Sequence, residues 1–220
     1  VIAGAGSNNT AEAIGLTRYA KQAGADAALH ITPYYNKPTQ EGIFAHMKAI
    51  SEAVDLPLIV YNVPGRTALT VKPATMARMF QEIPHVVGVK DATADLTQIS
   101  ETLELCGPDF CLLSGDDFTV LPTLAAGGAG VISVTSNLMP RKVAELCSSF
   151  QAGDIARARA IHYALNPLNR ACFIETNPVP VKTALAKMGW MSTELRLPLV
   201  CLQPQSEAYL ERVLESLKLL

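Results

Sequence analysis

Six short runs rich in Val, Ile and Leu recur along the first 134 residues, and they restrict the architectures open to this chain. They occupy 1–5, 27–32, 58–61, 86–90, 110–114 and 130–134. Each is continuously apolar rather than alternating, the pattern of parallel strands covered on both faces. Their starts fall roughly 20 to 30 residues apart, the length of a strand and its crossover helix.

Helical periodicity fills the gaps. After the first run, Thr10 is placed to cap a helix that Gly24 ends. Ile43, Met47, Ile50 and Val54 repeat at helical spacing after the second. Pro73 suits a first helical turn, followed by Met76, Met79, Phe80 and Ile83. Leu96, Ile99, Leu103 and Cys106 make the next stripe, stopped by Gly107-Pro108. A short helix is expected over 118–126, and Val143, Leu146 and Phe150 mark a sixth.

Six consecutive βα units fit either a doubly wound sheet or a (β/α)8 barrel. Even spacing, and no Gly-rich fingerprint after the first strand, favour the barrel. A barrel closes with eight strands, so about six of its eight βα units are expected here. The start at Val1, already inside a strand-like run, is read as an N-terminal truncation of two units. The barrel portion is placed at 1–153. Residues 154–220 read as helices only (154–174, 180–188 and 206–217) and are taken as a C-terminal helical domain.

Charge and composition exclude several function classes. The net charge of −2 gives no basic patch for nucleic acid or an anionic membrane. No apolar run reaches the ~18 residues of a membrane span. The five cysteines form no CxxC pair and read as small hydrophobes in a reducing, cytoplasmic setting. His30, His46, His85 and His162 share no metal spacing and read as structural or solvated, so no metal is expected.

Barrel enzymes work at the C-terminal ends of their strands. There the chain carries Tyr34-Tyr35-Asn36, Tyr61 through Thr67, Lys90-Asp91, Gly115-Asp116-Asp117, and Ile132. A lysine ending Val-Val-Gly-Val points into the mouth, where desolvation favours the neutral amine, a nucleophile for ketones. Alone, such a lysine equally suits a snorkel to solvent. Tyr61, ending the preceding strand, can pass protons to and from a carbinolamine, and Tyr35 can extend that relay. Arg66, beyond Tyr61, suits a substrate carboxylate. Each has a bland reading as core tyrosine, interface aromatic or surface ion pair, but three strand ends in succession carry them together. The Gly127-Gly128-Ala129-Gly130 cluster precedes its strand and reads as a turn; Asp116 and Asp117 read as loop acids or caps.

These motifs resemble the dihydrodipicolinate synthase family. They are Val-Ile-Ala-Gly-Ala-Gly (1–6), Thr-Pro-Tyr-Tyr-Asn (32–36), Tyr-Asn-Val-Pro-Gly-Arg-Thr (61–67), Gly-Val-Lys-Asp-Ala-Thr (88–93), Leu-Leu-Ser-Gly-Asp-Asp (112–117), Gly-Val-Ile-Ser-Val (130–134) and Asn-Pro-Val-Pro-Val-Lys (177–182). The resemblance spans the chain in order. It implies a TIM barrel with a C-terminal helical extension, and condensation of pyruvate with aspartate 4-semialdehyde in lysine and diaminopimelate biosynthesis. It implies no cofactor and a homotetramer of two dimers. By position, Lys90 matches the Schiff-base lysine, Tyr61 the proton donor and acceptor, and Tyr35 the relay tyrosine inserted across a dimer interface. Arg66 matches the residue that receives the semialdehyde carboxylate. Ile132 matches a backbone contact to pyruvate, and Gly115 a pocket-lining position. Asn8, Glu12 and Tyr34 match positions that bind inhibitory lysine in some members.

Two departures stand out. Asp91 occupies a position where the family usually has Glu. The family's Gly-Thr-Thr-Gly-Glu motif does not occur in the 220 residues, so the chain alone is expected to be impaired. Two alternatives remain open at this stage. A sister enzyme, such as N-acetylneuraminate lyase or a 2-keto-3-deoxy sugar-acid aldolase, shares the lysine and tyrosine. Arg66 within its motif argues against that reading. A non-catalytic barrel-derived binding protein has no need of an amine nucleophile.

Overall fold

The computed structural model describes all 220 residues, which divide into two compact units, Val1–Ile132 and Ser133–Leu220.

The first unit is a six-stranded parallel sheet. Its strands are β1 (Ile2–Gly4), β2 (Ala27–Ile31), β3 (Leu58–Asn62), β4 (Val86–Asp91), β5 (Cys111–Ser114) and β6 (Gly130–Val131). Strand order in space follows order in sequence, β1 through β6, with every neighbouring pair parallel. A doubly wound sheet reverses its order at a switch point. This sheet never does, so it is part of a barrel wall.

The crossovers are α1 (Thr10–Gln22), α2 (Gln40–Ala53), α4 (Pro73–Glu82), α5 (Leu96–Cys106) and α6 (Val120–Ala125). An extra single-turn helix, α3 (Pro64–Thr67), follows β3 directly, with Pro64 in its first turn. The stripe Ile43, Met47, Ile50 and Val54 is buried as its period requires, and so are Met76, Met79, Ile83 and Ile99. Phe80, Leu103 and Cys106 are partly buried against the same core, and Leu96, the first residue of α5, is 43% exposed. These side chains join Leu58, Val60, Val89 and Leu112 in one core. Each fully buried Ile, Leu or Met contributes roughly 1.5–3 kcal/mol.

Several helix ends and strand lengths differ from the sequence reading. Asn9, not Thr10, caps α1; its side chain accepts from the Glu12 N–H, and Thr10 is the first helical residue. Thr10 Oγ1 instead meets His46 Nδ1 at 2.9 Å. β6 ends after two residues, and the chain beyond it winds into a 3₁₀ turn over Thr135–Asn137, where the Ser136 N–H donates to the Ser133 hydroxyl at 2.8 Å. The cysteines are less buried than expected: Cys172 is inside, whereas Cys201 is exposed. His30, in contrast, is fully buried.

The second unit is helical: α7 (Pro140–Gln151), α8 (Ile155–Cys172), α9 (Val179–Lys187) and α10 (Pro204–Ser216). Its core gathers Leu168, Ala171, Cys172, Val179, Ala184, Leu210 and Leu214. By sequence order α7 completes the sixth βα unit; it also packs along α8 and so falls within the second compact unit. No helix is long and apolar enough to cross a membrane.

Candidate active site

The pairing of β3 with β4 sets Tyr61 opposite Lys90 and Asn62 opposite Asp91. Successive strand residues face opposite sides of a sheet. Tyr61 and Lys90 therefore share one face, and Asn62 and Asp91 share the other. On the first face the Lys90 ammonium lies over the Tyr61 ring, with Nζ 3.9 Å from its centroid.

Burial shapes the chemistry of both groups. It pulls the Lys90 amine below its ordinary value, and the Arg66 charge pulls the same way; Asp117 opposes them. Burial also pushes the Tyr61 phenol up, while Arg66 pulls it back. Arg66, one turn beyond β3 in α3, thus acts on both partners. A lysine whose ammonium is disfavoured holds a larger share of nucleophilic amine at neutral pH.

The next strand end explains how Lys90 is held. Gly115 follows β5, and a Cβ built on it would stand 3.0 Å from Lys90 Cγ, 3.0 Å from Lys90 Cε and 2.9 Å from Ala92 Cβ. Only a residue without a side chain lets the lysine stem lie there. The Gly115 N–H donates to the Asp91 carbonyl at 2.6 Å, continuing the β4–β5 ladder past the strand.

Residues 1–217 match the model of the dihydrodipicolinate synthetase family. The chain belongs to this family. It is 62% identical over 216 residues to 4-hydroxy-tetrahydrodipicolinate synthase of Nitratidesulfovibrio vulgaris, covering 98% of this chain and 74% of that relative. It superposes on the crystal structure of dihydrodipicolinate synthase from Thermotoga maritima with a TM-score of 0.98 at 47% identity, covering 100% of this chain and 76% of the other. The chloride-inhibited synthase of Acinetobacter baumannii, complexed with pyruvate, matches with a TM-score of 0.96 at 45% identity. That match covers 100% of this chain and 75% of the other. Like these synthases, the chain is an enzyme of the lyase class, on the barrel fold that they share with it.

The other residues singled out by the family pattern fall at several distances from Lys90 along the sheet. Ile132 directly follows β6, and its N–H donates to the Ser114 carbonyl at 2.9 Å, which continues the β5–β6 ladder past the strand. Tyr35 stands in solvent, 90% exposed, on backbone with φ +69°. Within one chain it is not part of a relay with Tyr61. Its turn is latched from β1's side: Asn8 Nδ2 donates to the Tyr34 carbonyl at 3.2 Å, and Asn36 Nδ2 to the Asn8 carbonyl at 3.0 Å. Glu12 accepts from the Ser7 hydroxyl, so Asn8, Glu12 and Tyr34 gather around the β1–α1 and β2–α2 connections.

Sequence reading undervalued three residues. Asp117, read as a loop acid or cap, is buried and its charge acts on Lys90. Its position just past β5 was the available signal. Asn62 and Asp91 are both buried; Asn62 is masked in the sequence by the chemically conspicuous Tyr61 before it, and Asp91 stands out there only as a departure from the family's usual Glu. Among the four cysteine, histidine, aspartate and glutamate side-chain types, no group of three gathers as a metal site would require.

Proposed function

We propose that this chain is a 4-hydroxy-tetrahydrodipicolinate synthase, condensing pyruvate with L-aspartate 4-semialdehyde through a Schiff base on Lys90. The observation that carries the reading is the half-buried Lys90 amine lying over the Tyr61 ring. The family relatives, named as synthases of this type, support the choice of reaction over the sister aldolases.

The neutral Lys90 amine adds to the pyruvate ketone, giving a carbinolamine. Tyr61 returns a proton to its hydroxyl, and water leaves to form the iminium. Loss of a methyl proton gives the enamine, whose carbon attacks the semialdehyde's carbonyl carbon. The new alkoxide takes a proton and becomes the hydroxyl. Arg66 holds the semialdehyde carboxylate through charge-assisted hydrogen bonds. The semialdehyde's amine then attacks the imine carbon, closes the ring and frees Lys90. The Ile132 carbonyl and the backbone at Gly115 border the pyruvate position. No metal or organic cofactor enters any step.

Tyr35 belongs to the same proposal as a relay group for a second subunit, in a homotetramer of two dimers. Its exposure leaves it available for that role. Asn8, Glu12 and Tyr34 form the proposed lysine-inhibitor site. We assign the barrel to 1–153 as part of an eight-unit whole, the helical extension to 154–220, and the protein to the cytoplasm. The isolated 220-residue chain, which carries no Gly-Thr-Thr-Gly-Glu run, is proposed to be impaired in turnover.

The test is borohydride reduction with pyruvate followed by peptide mass mapping. A reduced pyruvate adduct on the peptide carrying Lys90 is expected. An adduct on another lysine, or none on folded protein, overturns the assignment. Full synthase turnover by these 220 residues alone overturns the claim of impairment.

A further inference from the structure

The face of β3 and β4 away from Lys90 carries a closed polar cluster that the reaction does not use. Asp91 is 3% exposed and Asn62 1%. Asn62 Nδ2 donates to Asp91 Oδ2 at 3.3 Å, and so does Gln98 Nε2 from the first turn of α5. The Thr93 N–H donates to Asp91 Oδ1 at 3.0 Å, and the Thr93 hydroxyl reaches the same oxygen. Asn62 is held in turn by the strap after α3: the Val71 N–H donates to its Oδ1 at 3.1 Å, and its Nδ2 also faces the Val71 carbonyl at 3.4 Å. The backbone closes the same junction, with the Ala92 N–H donating to the Asn62 carbonyl at 2.9 Å.

A carboxylate is an acceptor only, and every group around Asp91 is a donor. The arrangement ties two strand ends, a helix start and a loop to one side chain. Asn62 and Asp91 are the immediate successors of Tyr61 and Lys90 and their register partners. Whatever fixes one pair on its face fixes the register of the other on the opposite face, since a slip of one residue exchanges the faces.

We propose that Asp91 is a positioning residue for the Schiff-base reaction: its carboxylate, bound by Asn62, Gln98 and Thr93, clamps the β3 and β4 ends so that Lys90 stays over Tyr61. The inference rests on the Schiff-base reading of Lys90. It concerns a residue that touches neither substrate nor the reacting atoms. Nucleophile placement is steep: a shift of about 1 Å costs on the order of a hundredfold in rate.

Asp91→Asn keeps the shape and turns Oδ2 into a donor facing two donors. The exchanged pair Asn62→Asp with Asp91→Asn restores complementarity between the two side chains: the amide at position 91 donates to the carboxylate at position 62, Gln98 can offer its carbonyl after an amide flip, and the Thr93 and Val71 N–H groups keep acceptors, while the longer 3.4 Å contact to the Val71 carbonyl is given up.

The experiment has two readouts on wild type, the single variant and the exchanged pair. Crystal structures give the distance from Lys90 Nζ to the Tyr61 ring. Borohydride trapping across pH gives the rate of adduct formation on Lys90. In Asp91→Asn, Lys90 is expected to leave the ring, and trapping to slow about tenfold or more with its pH midpoint unchanged. In the exchanged pair both are expected to return toward wild type.

Lys90 unmoved over Tyr61 in Asp91→Asn overturns the clamp. So does slowing that comes with a shifted pH midpoint and no recovery in the exchanged pair, because Asp91 would then act through its charge. If wild type itself traps no pyruvate, the Schiff-base reading falls, while the crystal structures still decide whether Asp91 holds Lys90 in place.

Discussion

Gly115→Ala adds one methyl group beside the lysine that the proposed reaction needs. The new Cβ would stand 3.0 Å from Lys90 Cγ and Cε and 2.9 Å from Ala92 Cβ. Carbon atoms rest best at about 3.5–4.0 Å, so the contacts must open by about 0.5–1 Å. The Gly115 N–H is held by the Asp91 carbonyl, so the backbone resists and the lysine stem gives way first. A displacement of that size lowers the rate of Schiff-base formation by about tenfold to a hundredfold, or ~1.4–2.7 kcal/mol in the barrier. The same overpacking costs ~1–3 kcal/mol of stability. The assay is single-turnover borohydride trapping with pyruvate, beside a thermal melt. Adding Ala92→Gly removes one of the three clashes but neither contact with Lys90. It is expected to recover part of the melting temperature and little of the trapping rate. Trapping within twofold of wild type in Gly115→Ala would refute the reasoning, because Lys90 would then tolerate displacement or would not lie where its contacts place it.

The remaining predictions concern charge and proton balance. Lys90→Ala is expected to abolish the pyruvate adduct, read by mass mapping. In wild type the trapping rate at low pyruvate should rise with pH, since only the neutral amine attacks. Its midpoint should fall below the ordinary 10.5 of a lysine, because burial lowers the Lys90 value; a midpoint at or above 10.5 contradicts this. Arg66→Ala is expected to raise the KM for the semialdehyde severalfold and leave the pyruvate adduct intact; loss of the adduct would mean that Arg66 serves pyruvate. His30 is fully buried and its pKa is lowered from 6.5 to about 4, by burial first and the neighbouring His46 second. The unfolded chain therefore takes up a proton between those values that the folded chain does not. Stability falls as pH drops through 6.5, and the whole loss, about 3 kcal/mol, is present below pH 4. His30→Leu should flatten that part of the urea-denaturation profile, and an unchanged acid loss would show that other groups cause it.

Much of the architecture was legible from residue order because it rests on local physics. Continuous apolar runs such as 58–61 and 86–90, spaced as they are by helical segments, read as strands of a parallel sheet. The stripe Ile43, Met47, Ile50 and Val54 can only bury itself as a helix, and Gly24 and Gly107 end their helices at positive φ. Lys90, Tyr61 and Arg66 were legible as chemistry because their types are reactive, with Tyr61 and Lys90 at the ends of successive strands and Arg66 just beyond the first of them. The neighbouring details depend on partners far away in the chain. Asn9 caps α1, while the Thr10 hydroxyl is engaged by His46, 36 residues on. β6 stops after two residues, where the chain leaves the sheet and winds into a 3₁₀ turn. Asp117 comes to act on Lys90 only when β5 pairs with β4, and Asn62 meets Asp91 only in one register of β3 against β4. Sequence alone settled the alternation of strands and helices and the residue types at the strand ends, since periodicity and side-chain chemistry are written residue by residue. The tertiary structure decided which of those ends face one another and what lies behind them. Parallel register is set by hydrogen bonds between segments about 30 residues apart, and a slip of one residue would turn Lys90 and Tyr61 away from the shared face.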